Sequence, residues 1–286
     1  MPTLLDFRRR IRSVRNTQQI TRAMKFVAAA RLRRAQENAL AARPFAHELA
    51  RLLRSIMGRI ESPQHPLLAQ RPEKRVLAVV LSGERGLCGA FNSNILRKAR
   101  EFFVSRKGET LVAIPVGRKG RDALRKAGIS FAAEYVNVLA RVEFATAREI
   151  SSLVAQLYSK EEVDAVYLIF SEFKNVLAPS LALEKILPVR TPPSEAAGET
   201  QVDYLYEQPA ERLLDALLPR YVETQVLRAM LESSAAEHAA RMTAMESATK
   251  NAGEVIDALT LYMNKVRQAA ITREIIEIVS GAASTA

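Results

Sequence analysis

The chain has 286 residues, of which 48% are apolar and 26% charged, a balance that supports a packed core and argues against wholesale disorder. Its one cysteine, Cys88, excludes an internal disulfide framework and a cysteine-rich metal site, and fits a reducing compartment. The formal charge of +11 sits in one segment: residues 1–60 carry fourteen Arg or Lys against three acids (Asp6, Glu37, Glu48), and the other 28 basic and 28 acidic side chains cancel.

From Thr3 to Arg43 there is neither Gly nor Pro, and Ala, Leu, Arg and Gln dominate, so the segment is predicted to be helical. Phe7, Val14, Thr21, Ala28, Ala35 and Ala42 recur every seven residues, with Ile11, Leu32 and Ala39 between them. That is a heptad seam, weakened by Gln18 and Lys25 and narrowing to small residues that let a second helix approach closely. Pro44 is expected to bend the helix or end it one residue earlier. Phe45, Leu49, Leu52, Leu53 and Ile56 then resume a stripe up to Gly58, and a helix over 3–58 would be about 84 Å long. The opening MPTLLDFRRRIRSVR has no apolar signal core, and its helical pattern runs on without a cleavage-like region, so neither export nor a transit peptide is indicated. No apolar run approaches the roughly 20 residues of a membrane span.

Residues 62–74, SPQHPLLAQRPEK, read as a linker because of their prolines. VLAVVLSG (76–83), TLVAIPVG (110–117) and VDAVYLIF (163–170) are short continuous apolar runs, the mark of strands buried on both faces. Helical stretches NILRKAREFFVSRKG, RKGRDALRKAG and EFATAREISSLVAQLYS alternate with them, which predicts a Rossmann-like, mostly parallel sheet covered by helices. NVLAPSLALEKILPV reads as two further extended pieces, and TPPSEAAGET (191–200) as a mobile loop. From about Ala210 the helical pattern returns, with Pro219 and Gly253 as the only breakers before Gly281. Val255, Leu259, Tyr262, Val266, Ala269 and Ile276 make its seam. The fold class is thus α/β plus a long antiparallel coiled coil of the two terminal helices. The segments are 1–60 (first coiled-coil helix), 61–74 (linker), 75–209 (α/β foot) and 210–286 (second coiled-coil helix). The last of these carries eight basic and ten acidic side chains, some complement to the basic first helix.

The most enzyme-like stretch is SGERGLCGAFN (82–92), which leaves a strand, contains Gly83, Gly86 and Gly89, and enters a helix that Asn92 or Ser93 could cap. A phosphate loop needs Lys-Ser/Thr after its last glycine, whereas Ala90-Phe91 follows, and the spacing is G-x-x-G-x-x-G rather than G-x-G-x-x-G. A tight structural turn is the better reading. Arg85 could lower the pKa of Cys88, though a small residue packed in a turn accounts for it. His47, His65 and His238 lack ligand spacing and fall on predicted surface helix or linker. No nucleophile–base–orienter set emerges, so no catalytic residue, metal or cofactor is expected. For the basic helix, nucleic acid, a membrane surface and an acidic protein surface all compete. The absence of Trp and of a recognisable reading module favours the acidic protein, and a basic coiled-coil nucleic-acid-binding protein remains the alternative.

ITREIIEIVSGAAS near the C-terminus fits I-T-x-E-x-x-E-x-x-x-G-A at every fixed position, and in this the chain resembles the gamma subunit of F-type ATP synthases, of the bacterial type. RRRIRSVRNTQQITRAMKFVAAARLRRAQ is similar to that family's opening helix, as are DYLYEQPAERLLDALLPRYVE and NKVRQAAITRE to later blocks. LSGERGLCGAFN also matches, except that Glu84 stands where Asp is usual. The resemblance implies a non-catalytic central shaft, one copy per complex, inside a hexamer of alpha and beta subunits. Its foot meets the epsilon subunit and the c-ring at the cytoplasmic face of the bacterial inner membrane, and the shaft couples proton transport to ATP synthesis and hydrolysis. It implies that Met24 and Lys25 face an acidic lever of beta, that Arg267 and Gln268 make polar contacts with beta, and that Tyr204 and Glu207 lie near the c-ring and epsilon. The chloroplast cysteine pair is absent, so thiol regulation of that type is not expected. In the last helix Ile271, Ile275, Ile276, Ile278 and Val279 cover an arc of about 160°, with Arg273, Glu274 and Glu277 opposite. That arc is wider than one coiled-coil partner needs, and by the resemblance it forms an apolar bearing in the hexamer collar. Gly281 is expected to end the helix.

Overall fold

The computed structural model describes residues 3–60, 64–106, 108–175, 180–190 and 209–285. The first helix, α1 (Leu4–Met57), starts at a capping box. Asp6 N–H donates to Thr3 Oγ1 at 3.3 Å while the Asp6 carboxylate accepts from Thr3 N and Oγ1 at 2.9 and 2.8 Å. These bonds hold Asp6 below the usual carboxylate range. Helix α1 runs on through Pro44, whose ring lies on the exposed side, so the proline does not end it. A single 3-10 turn (Pro66–Leu68) leads to strand β1 (Arg75–Leu81). Helix α2 (Phe91–Ser105), strand β2 (Thr110–Val116), helix α3 (Arg118–Lys126) and a two-residue strand β3 (Ser130–Phe131) follow. Helix α4 (Phe144–Ser159), strands β4 (Ala165–Glu172) and β5 (Ser180–Leu187), and helix α5 (Ala210–Thr285) complete the chain.

The five strands lie in the order β3-β2-β1-β4-β5. β1 pairs in parallel with β2 (Arg75 opposite Thr110) and with β4 (Val76 opposite Ala165), while β5 is an antiparallel edge on β4. The apolar runs of β1, β2 and β4 reflect burial on both faces. Leu77, Val79 and Leu81 join a core with Ile150, Val154 and Tyr158 of α4, Leu53 and Ile56 of α1, and Leu218, Val222, Val226 and Met230 of α5. Alternate residues Val76, Ala78 and Val80 are equally buried and face the other side, where Phe102 of α2 stacks on Tyr167 at 5.0 Å. β5 forms the second of the two extended pieces expected after Phe170, and residues 176–179, where the first falls, lie outside the described residues.

The chain divides into two compact units, Met1–Ala28 with Met242–Ala286, and Ala29–Arg241. In the first, α1 and α5 are antiparallel: Phe7 packs on Tyr262 at 5.2 Å, Thr21 bonds Thr249 at 2.8 Å and Lys25 pairs with Glu246 at 2.6 Å. In the second, the sheet, α2–α4 and the remaining lengths of α1 and α5 share the core. α5 continues through Pro219, Gly253 and Gly281 to Thr285, so Gly281 does not end the helix. A helical glycine costs only about 1 kcal/mol relative to Ala, and Ala282-Ala283-Ser284 supply no breaker after it.

Candidate functional site: interaction surfaces

In residues 82–92 the polar groups are engaged with the chain itself. Ser82 N–H donates to Val116 O at 2.8 Å, and Ser82 Oγ accepts from Gly120 N–H at 2.7 Å. At Gly117 (φ 109°) a Cβ would sit 1.9 Å from Ser82 O, so only glycine allows this approach. Glu84 accepts from the N–H groups of Arg118 and Asn137, placing a carboxylate at the positive N-terminus of α3. Asn92 and Ser93 do not cap α2, whose N-cap position is Ala90. Asn92 Oδ1 instead accepts from Gly83 N–H at 2.8 Å, and its Nδ2 donates to Arg85 O and Cys88 Sγ. This is a tied structural turn. Burial pushes the Cys88 thiol up, and the cation that opposes the shift is Arg241 rather than Arg85.

The histidine expectation fails at His238, which is 5% exposed on α5. Burial, helped by the cations Arg241 and Arg31, lowers its pKa to about 4. Its neighbour Glu237 is equally buried; desolvation raises its pKa despite the Arg241 guanidinium 2.6 Å away. His65 Nδ1 accepts from Leu67 N–H at 3.1 Å and caps the 3-10 turn. Among the described residues no group of three or more His, Cys, Asp or Glu could hold a metal ion.

The outward surface of the first unit follows from its seam. On α1 the more buried positions are Phe7, Ile11, Val14, Gln18, Thr21, Lys25 and Ala28, the spacing read from the sequence. The three polar members have partners: Gln18 Nε2 donates to Thr249 O at 3.3 Å, Thr21 Oγ1 meets Thr249 Oγ1 at 2.8 Å, and Lys25 meets Glu246. Met24, beside the seam, is half-buried, while Ile20, Phe26 and Val27 are exposed at 60%, 62% and 53%. At about 100° per residue, Ile20, Met24 and Val27 form one outward apolar stripe on a basic helix. In the sequence this stripe is carried by apolar residues off the heptad seam.

On α5 the buried line is Met245, Thr249, Ala252, Ile256, Leu259, Met263, Val266 and Ala270. It shares Leu259 and Val266 with the expected seam but replaces Val255, Tyr262 and Ala269 by the residues after them. Arg267 and Gln268 are exposed on the outer side. Phe7 lies opposite Tyr262 close to the start of α1 at Leu4, and every position from Ile271 to Ser280 is exposed. Ile271, Ile275, Ile276, Ile278 and Val279 stand 48–71% exposed. Burying such side chains is worth roughly 1.5–3 kcal/mol each, which the chain forgoes by itself. Tyr204 and Glu207 lie outside the described residues.

The sequence pattern described as ATP synthase matches residues 3–285. The chain is 49% identical to the ATP synthase gamma chain of Solibacter usitatus, over 99% of each chain. It is 50% identical to that of Desulforamulus reducens, again over 99% of each. Among solved structures, it is similar to a chain in the central stalk and c-ring of the Tetrahymena thermophila mitochondrial ATP synthase, with TM-score 0.60 and 26% identity over 80% of this chain and 99% of that one. A chain of the Euglena gracilis mitochondrial ATP synthase shares the fold, with TM-score 0.68 and 19% identity over 99% of this chain and 94% of that one. From its first helix to its last, the chain belongs to the ATP synthase gamma-chain family.

Proposed function

We propose that the chain works as the central-stalk rotor of an F-type ATP synthase, carrying torque between a proton-driven c-ring and a catalytic hexamer of alpha and beta subunits, and performing no bond chemistry itself. The observation that carries this reading, beyond family membership, is the end of α5. It presents five apolar side chains over an arc that no other described residue of its unit covers, as a bearing inside a collar requires. The basic outward face of α1 suits an acidic partner surface, with Met24 and the Ile20–Val27 stripe supplying apolar contact. Lys25 reaches an acidic lever of beta by leaving or sharing Glu246. Arg267 and Gln268 meet beta on the outer side of α5, and Tyr204 and Glu207 serve the c-ring and epsilon. The complex holds one copy, at the cytoplasmic face of a bacterial inner membrane; no helix among the described residues is long and apolar enough to cross a membrane. The nucleic-acid alternative is left without support.

Met24→Lys tests the lever contact. In the whole synthase reconstituted in vesicles, the added cation is expected to reduce ATP-driven proton uptake per ATP hydrolysed, with assembly retained. An unchanged ratio would count against that placement.

A further inference from the structure

From Ala229 to Ala239 every residue of α5 is buried, so the helix is enclosed around its whole circumference for three turns. An apolar lining would be expected there, yet the stretch contains Glu232, Ser233, Ser234, Glu237 and His238. Three successive members of it bond the end of β4, α1 and the segment before α4. Glu232 Oε2 accepts from Phe173 N–H just beyond β4 at 2.8 Å, and its Oε1 accepts from Arg43 of α1 at 3.1 Å. Ser233 Oγ accepts from Ser171 N–H in β4 at 3.2 Å. Ser234 Oγ donates to Leu139 O, before α4, at 3.0 Å. At about 100° per residue these anchors fan over roughly 200° of the helix.

We propose that Glu232, Ser233 and Ser234 are the positioning residues that fix the rotational setting of α5 against the sheet and so carry torsional load into the α/β unit. Apolar contact is non-directional and scales with area, so the small faces of Ala229, Ala235, Ala236 and Ala239 could exchange places under a twist with little resistance. Hydrogen bonds weaken steeply with misalignment, and with anchors on more than half the circumference, rotation in either direction breaks at least one. Arg43 also donates to Phe173 O at 3.4 Å, which ties the same strand end to α1. Because α5 is one continuous helix, twist applied elsewhere along it arrives at this stretch.

The inference rests on the rotor reading, which wild-type ATP-driven proton uptake tests separately. The variant Ser233→Ala/Ser234→Ala is to be built into the complete synthase in vesicles, with Met230→Ala, a buried apolar neighbour without an anchor, as the packing control. The readouts are ATP hydrolysis with the gradient dissipated and the largest proton gradient the enzyme can build. The double variant should hydrolyse ATP within about twofold of wild type, yet build a gradient at least twofold smaller, as the shaft slips under load. Met230→Ala should lower the thermal midpoint and keep the full gradient. A full gradient from the double variant would overturn the proposal, as would an equal loss from Met230→Ala. If the double variant does not assemble, Ser233→Ala alone, keeping the other two anchors, is measured in the same way: a reduced gradient supports the proposal and a full one overturns it.

Discussion

Two stretches of one helix invert the usual rule of burial. Residues 229–239 of α5 are buried on every side and include two glutamates, two serines and a histidine; residues 271–280 are exposed on every side and include four isoleucines and a valine. In the first stretch the polar groups have fixed partners, His238 included, whose Nδ1 lies 3.5 Å from Arg241 Nη1. In the second, the apolar groups have no partner among the described residues. Buried polarity here marks a helix held in place, and exposed apolarity marks a surface made for another molecule.

That contrast can be broken most severely at Glu232. Glu232→Ala strands Phe173 N–H in the interior and takes the carboxylate from Arg43, which keeps its bond to Phe173 O, and about 3 kcal/mol of stability should be lost, read by urea unfolding of the full chain. A loss below about 1 kcal/mol would mean that the network does not hold the helix.

Next comes the pH response of His238. Its folded pKa of about 4 lies below the ordinary histidine value of 6.5, so its neutrality contributes stability above pH 6.5 that disappears as pH falls towards 4. The full loss is about 3 kcal/mol. Glu237, whose folded pKa is raised, works in the opposite sense: it favours the fold when protonated, and that contribution is lost as pH rises. Comparing unfolding of wild type and His238→Gln across pH 4–7 isolates the histidine, and the difference should narrow steadily as pH falls. A constant difference would reject the assignment.

At the exposed stretch the expected balance reverses. Ile275→Asp/Ile278→Asp should change the stability of the isolated chain by no more than about 0.5 kcal/mol, while weakening its assembly with alpha and beta in a reconstitution assay. A large loss of stability would show that the arc already has a partner within the chain. The smallest effect is expected at Lys25. Its ion pair with Glu246 is partly open to water, with side-chain exposures of 33% and 59%, so Lys25→Ala should cost no more than about 0.5 kcal/mol by thermal unfolding, even where it reduces coupling in the synthase.

The sequence made some of this legible and hid the rest for physical reasons. The α1 seam was readable because Phe7, Ile11, Val14 and Leu32 have charged or polar residues on both sides, so a single heptad line fits. On α5 two lines fit equally well: Val255 adjoins Ile256, Tyr262 adjoins Met263 and Ala269 adjoins Ala270. Only the partner helix chooses between them, and it takes the second of each pair while Tyr262 packs from the rim on Phe7. β1, β2 and β4 announced themselves as continuous apolar runs, whereas β3 has two residues and no pattern to read. Pro44 and Gly281 carry stop signals by local preference, but α1 is packed on both sides of Pro44 and keeps its course, and at Gly281 the cost of a helical glycine is small. The bearing was legible from its arc, but the polar anchors of Glu232–Ser234 were not, since nothing in ESSAAEH says which side chains will be enclosed.

The polar seam of the first unit also fixes a length. Thr249 accepts from Gln18 through its carbonyl and bonds Thr21 through its hydroxyl, while Lys25 meets Glu246 one turn away. A slip of one heptad between the helices would keep small and apolar residues roughly aligned but separate all three pairs, moving the apolar tip by about 10 Å along α1. Those few uncharged and charged contacts therefore act as a ruler. They set how far the end of α5 projects beyond α1, to a tolerance finer than the turn of a helix.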